Sequence, residues 1–205
     1  MSPYNPFLQA LLAQPEDDTL RLAMADWLDE NEEPDRAEFI RVQIELALGD
    51  CNKQRRRYLE LRQRELLIVH DTDWVAPLAR VLKCKPGEWG GWVFHRGFVE
   101  YFNLSAAVIL WQGHKLAKLT PIRELFLRPC NSEDVVTLCR LPWLRSLTGL
   151  YLDSVRLNAA AVSALIYSPH LTSLRTLQVI LHEQVLHELH DALRTRFPFA
   201  FPRAD

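Results

Sequence analysis

Two kinds of hydrophobic pattern follow one another along this chain. From Phe7 to about residue 82 the apolar positions recur at helical spacing, and beyond it they gather into short LxxLxL clusters. Phe7 to Ala13 predicts a short helix, with Leu8, Leu11 and Leu12 apolar, ended by Pro15. Thr19 is placed to cap the next helix, in which Leu20, Ala23, Met24, Trp27 and Leu28 fall on one stripe. Glu32-Glu33-Pro34-Asp35 breaks it, and Pro34 or Asp35 opens a third helix with Ala37, Ile40, Ile44 and Leu48 on one face. A fourth is expected from Lys53 to His70, with Tyr58, Leu59, Leu61, Leu66, Leu67 and Val69 as its apolar members. The composition then shifts. Lys83 to Gly97 holds four of the seven glycines, together with Trp89 and Trp92, and its Pro86-Gly87 and Gly90-Gly91 pairs read as turns. The tryptophans at such a joint read as packing more readily than as a ligand pocket.

After that joint the clusters repeat. Val99, Phe102 and Leu104 form the first, then Ile122, Leu125 and Leu127, then Leu147, Leu150 and Leu152, then Leu174, Leu177 and Val179. The intervals are 23, 25 and 27 residues, within the roughly 20–29 residues of leucine-rich repeats. A helix start follows the first three clusters, with Ser105, Ser132 and Asn158 as N-caps, and a last helix is expected from His182 to Phe197. The asparagine common after such strands is missing, since Pro129-Cys130, Ser154-Val155 and Leu181-His182 stand there. The expected fold is α/β. Residues 1–82 form a helical block that caps a short leucine-rich-repeat-like solenoid at 83–205, with parallel strands and helices on the outer side.

Composition narrows the function. The net charge is -2 and the pI near 6.4, so no global field draws the chain to nucleic acid or to an anionic membrane. No apolar stretch approaches a membrane span, and no basic region precedes the first apolar run, so a soluble cytoplasmic protein is expected. Cys51, Cys84, Cys130 and Cys139 are far apart with no CxxC pair, which fits reduced thiols better than a zinc site or a disulfide framework.

Three groups invite chemistry. Asp26, Asp29, Glu30, Glu38, Arg21 and Arg41 crowd the opening helices. They read as an ion-pair network, with Asp26 or Glu38 against Arg21 or Arg41, because no His or Cys joins them. The basic run 53–57, Lys-Gln-Arg-Arg-Arg, offers phosphate contacts and hence a nucleic-acid-binding alternative, although such a run is more often a solvated helix start. His182, Glu183, His187 and His190 suggest a metal but lack the HExxH order, leaving a metal-dependent enzyme as the weakest alternative. Pairing of Cys84 or Cys130 with His95 or His114 rests on coexistence alone. No G-x-S-x-G, phosphate-loop or dinucleotide motif occurs. No cofactor, metal or catalytic residue is expected.

The early helices carry a resemblance. Arg21, Leu22, Ala25, Asp26, Trp27, Leu28, Ala37, Glu38, Phe39, Ile40, Arg41 and Gln43 resemble the bacterial repeat-companion domain, and the likeness continues into Arg64-Glu65-Leu66-Leu67, Trp74, Pro77-Leu78 and Arg96-Gly97-Phe98. The resemblance implies a helical module placed ahead of leucine-rich-repeat-like segments. It implies no activity.

Function is therefore sought on the strands. With Leu125 and Leu127 inward, Glu124, Phe126 and Arg128 face out, as do Tyr101 and Asn103, then Gly149, Tyr151 and Asp153, then Thr176, Gln178 and Ile180. The expected binding residues are Tyr101, Glu124, Phe126, Arg128, Tyr151, Asp153 and Gln178, and the expected partner is another protein.

Overall fold

The computed structural model describes residues 6–83, 91–181 and 187–198, with backbone alone at 153–155 and 181. It is an α/β protein with a mostly parallel sheet. The helices are α1 (Pro6–Ala13), α2 (Asp18–Glu30), α3 (Pro34–Leu48), α4 (Lys53–Leu82), α5 (Ala106–Leu116), α6 (Ser132–Leu138), α7 (Ala159–Tyr167) and α8 (His187–Arg196). The strands are β1 (Trp92–His95), β2 (Phe98–Leu104), β3 (Glu124–Leu127), β4 (Gly149–Leu157) and β5 (Thr176–Leu181), in the order β1-β2-β3-β4-β5. Each pair from β2 to β5 is parallel. The chain divides into two compact units. One holds Met1–Glu88, Trp92–Glu100 and Lys115–Pro121, and the other Trp89–Gly91, Tyr101–His114 and Ile122–Asp205.

In the first unit α2 packs on α1 and α3, and α3 on α4. Leu8, Leu11, Met24, Ala25, Leu28, Ala37, Ile40, Ile44 and Phe98 form its core. Three details differ from the sequence expectation. The cap of α2 is Asp17, whose carboxylate accepts from the Thr19 amide at 2.8 Å. The buried stripe of α2 is Arg21, Met24, Ala25 and Leu28, one position round from the expected one, so a cation occupies a core position. In α3, Leu48 is exposed while Ala37, Ile40 and Ile44 are buried.

The fourth helix does not end at His70. Asn52 caps it, accepting from the Arg55 amide at 2.9 Å, and it runs through Pro77 to Leu82, where Lys83 takes a left-handed conformation. Pro77 removes one backbone donor. Val75, Leu78, Ala79 and Leu82, all buried, offset that loss.

The sequence predicts only turns and packing tryptophans before Arg96, yet β1 is a strand there. Arg96 and Gly97 carry φ of 47° and 90°, the pair of positive values that a tight two-residue hairpin requires. A connection that short makes β1 and β2 antiparallel. Trp89, Pro86-Gly87 and Gly90 lie outside the described residues, and the Trp92 indole donates to Asp71 at 3.0 Å.

The second unit is built on the strand leucines. Leu104, Leu125, Leu127, Leu150, Leu152 and Leu177 are all buried. Helix α6 is capped by Asn131 rather than Ser132. Asn131 accepts from the Asp134 amide while the Asp134 carboxylate accepts from the Asn131 amide, both at 2.9 Å. Asn158 caps α7, accepting from Ala161 at 3.0 Å. Helix α7 packs against α6 and α8. In α8 the buried member is Leu193, followed by buried Phe197; the expected start at His182 lies outside the described residues. Between β4 and β5 the register slips, since Tyr151 pairs with Gln178 but Arg156 pairs with Ile180. Five steps on β4 oppose two on β5, which interrupts the simple alternation expected past Tyr151.

Candidate functional site

Parallel pairing sets two rows of side chains across the second unit's sheet. One row is Tyr101, Glu124, Gly149 and Thr176, and the next is Asn103, Phe126, Tyr151 and Gln178. Because neighbouring residues point to opposite faces, these rows share the face opposite the buried leucines. Tyr101, Glu124, Phe126 and Tyr151 are half-buried, while Arg128 and Gln178 are exposed. The side chain of Asp153 lies outside the described residues.

The centre of the face is aromatic. Phe126 and Tyr151 stack with centroids 6.4 Å apart and an angle of 24° between their planes. The Arg128 guanidinium lies 5.9 Å from the Phe126 centroid, within cation–π range. The Tyr151 hydroxyl donates to Glu124 Oε2 at 3.2 Å. Gly149 makes room for this arrangement, since a β-carbon there would stand 3.0 Å from Glu124 Cγ and 3.1 Å from Tyr151 Cε2. Burial and then the Glu124 charge raise the Tyr101 phenol above its ordinary range, and the same two causes raise that of Tyr151. Both remain neutral donors at pH 7. The face thus offers aromatic area, a neutral hydroxyl, a carboxylate and a guanidinium.

The charged residues of the opening helices sort into separate pairs. Arg41 meets Asp26 at 2.7 Å and Asp29 at 2.6 Å. Glu38 pairs with Arg62 at 2.7 Å rather than with Arg21 or Arg41. Arg21 pairs with Glu100 at 2.5 Å and donates to the Pro15 and Arg96 carbonyls at 2.6 and 2.9 Å. Nothing in the spacing of α2 announces a partner 79 residues away. In the basic run, Arg55 pairs with Glu45 and Arg56 with Glu60, so two of its charges are already engaged.

Sequence reasoning also missed Arg36. It is buried under aromatic rings, and the only sequence signal is its place in the first turn of a helix otherwise read for its apolar face.

Among the described residues no three of His, Cys, Asp and Glu converge as metal ligands. His187 and His190 are neighbours on α8, with ring centroids 6.1 Å apart, and His182 and Glu183 lie outside the described residues. Burial, and then the Asp134 charge, push the Cys130 thiol up to about 11, and burial pushes Cys139 up to about 12. Thiolate is scarce on both at neutral pH. Alkylation of Cys130 by iodoacetamide is therefore expected to be slow at pH 7 and to climb with pH towards 11. Mass spectrometry of the labelled peptides checks this, and rapid labelling at neutral pH contradicts it. Cys84 lies outside the described residues.

No helix among the described residues is long and apolar enough to cross a membrane. No protein-family model, no curated protein and no solved structure matches the chain.

Proposed function

We propose that this chain is a non-catalytic module that binds another protein through the outward strand face of its second unit. One observation carries the reading: the stacked Phe126–Tyr151 pair, flanked by Arg128 and Glu124, on a face whose opposite side holds the leucine core. Rigid aromatics beside an arginine supply contact area at low entropic cost, the usual make-up of an interface hot spot. On this reading the second unit is a short leucine-rich-repeat-like solenoid, supported by the parallel strands and the helix after each. The first helices are a repeat-companion domain of the bacterial kind. Support for that lies in burial: Arg21, Ala25, Leu28, Ala37, Phe39, Ile40 and Gln43, residues that carry the resemblance, are all buried.

The test is affinity capture from the source cell with the wild type and a Phe126→Glu/Tyr151→Glu double variant. A partner held by the wild type is expected to be lost on the variant, with the circular-dichroism spectrum unchanged. Equal recovery on both overturns the reading. Losing two hot-spot residues typically weakens binding by about 2 kcal/mol or more each, enough to empty a capture resin.

A further inference from the structure

The first unit contains a cavity of about 320 Å³ that the strand-face reading does not use. Its size is at the lower end of small-molecule sites. Trp74, Phe94 and Phe98 give it aromatic walls, Leu78 and Val99 are apolar, and Arg36 forms part of the lining. Glu33 and Asp73, both exposed, line it too and mark its solvent side.

Arg36 is the unusual member. Its residue exposure is 7%, and no carboxylate lies within ion-pair distance of it among the described residues. Nη2 donates to the Gly97 carbonyl, while Nη1 is buried with no hydrogen-bond partner. The guanidinium lies 4.6 Å from the Trp74 ring centroid and 5.4 to 5.6 Å from those of Phe94, Phe39 and Phe98. Rings satisfy a cation through their faces, but the in-plane N–H groups of arginine need oxygen acceptors. The charge of exposed Glu33 offsets the burial of Arg36 only in part, and a carboxylate in the cavity supplies the acceptor that Nη1 lacks. Burial also draws the Arg36 guanidinium down to about 9, still cationic at pH 7.

We propose that this cavity binds a small monocarboxylate with a flat apolar body, its carboxylate on Arg36 and its body against Trp74 and Phe94. The unpartnered Nη1 of Arg36 calls for one anionic acceptor, and Glu33 and Asp73 repel a second at the solvent side. The same chemistry is offered by a free aromatic acid and by the C-terminal residue of a peptide.

Calorimetric titration of the full chain distinguishes these. The probes are 3-phenylpropionate, 3-phenylpropionamide, and an acetylated peptide ending in phenylalanine with a free C-terminus. The acid is expected to bind about tenfold or more tighter than the amide, the usual gain of a charge-assisted hydrogen bond. Tighter binding of the peptide than of the free acid supports the same site with a chain terminus as its source. Arg36→Met is expected to fold, since an apolar isostere relieves a buried charge, and to lose the preference for acid over amide. Should that variant not fold, Leu119→Trp, at a half-buried lining position, is expected to block binding by filling the cavity. Equal binding of acid and amide, an unchanged titration with either variant, or no heat from any probe at millimolar concentration overturns the assignment.

Discussion

Gly97→Ala lowers the stability of the first unit by about 2–6 kcal/mol, the largest loss expected from adding a single methyl group here. Two costs add. A φ of 90° strains any residue with a β-carbon, by about 1–3 kcal/mol. The new methyl also overlaps Ile40 Cγ1 and stands 3.0 Å from the Ile40 Cα, so the clash is with backbone as well as side chain. Overpacking of this kind costs about 1–3 kcal/mol. The substitution disturbs the hydrogen bonds of the turn as well, because the Gly97 amide donates to Gln43 Oε1 at 2.7 Å and its carbonyl accepts from Arg36. Urea unfolding followed by circular dichroism reads the loss directly. In an Ile40→Ala background the penalty of Gly97→Ala is expected to shrink without vanishing, since the helix backbone still crowds the new methyl. A midpoint within error of the wild type would show that α3 moves aside freely.

Arg21→Met is expected to cost about 3–5 kcal/mol, the usual penalty for breaking a buried ion pair from one side. Arg21 is fully buried and Glu100 is 6% exposed, so neither finds water when the other is removed. His95 and Arg96 reach Glu100 Oε2, at 3.1 and 3.9 Å, but Oε1 depends on Arg21. The Pro15 and Arg96 carbonyls lose their donor in the same step. Adding Glu100→Leu to Arg21→Met removes the stranded charge, and the double variant is expected to be more stable than Arg21→Met alone. The double-mutant cycle measures the coupling. A double variant no better than the single sinks the claim that the stranded carboxylate causes the loss.

Much of the α/β order was legible from local pattern. The leucine clusters at 122–127, 147–152 and 174–179 overlap β3, β4 and β5, and the caps at Asp17, Asn131 and Asn158 lie at or within two residues of the expected starts. Alternation placed Glu124, Phe126 and Tyr151 on the non-leucine face, because period-two geometry needs no knowledge of neighbours. What was not legible depends on distant contacts. Proline normally argues a helix end, yet α4 passes Pro77 because Val75 before it and Leu78 after it are buried. The Arg96-Gly97 turn lacks the usual asparagine, and the bonds by which Gly97 accepts from Arg36 and donates to Gln43 leave no local mark, so β1 is hidden in the sequence. The inserted residues of β4 follow Tyr151 with no glycine or proline to mark them, which is why the alternation ran on through Asp153 on paper. Arg21 and Arg36 look like surface charges in any reading of spacing, and only their partners and their burial reveal otherwise.

The ties from the hairpin turn to α2 and α3 have a bearing on how the protein is made. Gln43 waits for Gly97, Arg36 for the same residue, and Arg21 for Glu100, across separations of 54, 61 and 79 positions. During vectorial synthesis, the four helices of the first unit leave the ribosome with these polar side chains lacking their hairpin partners. Closure must await the emergence of residues 97–100, and contacts so distant in sequence are slow to form. The hairpin, made only after all four helices, is what locks the first of them.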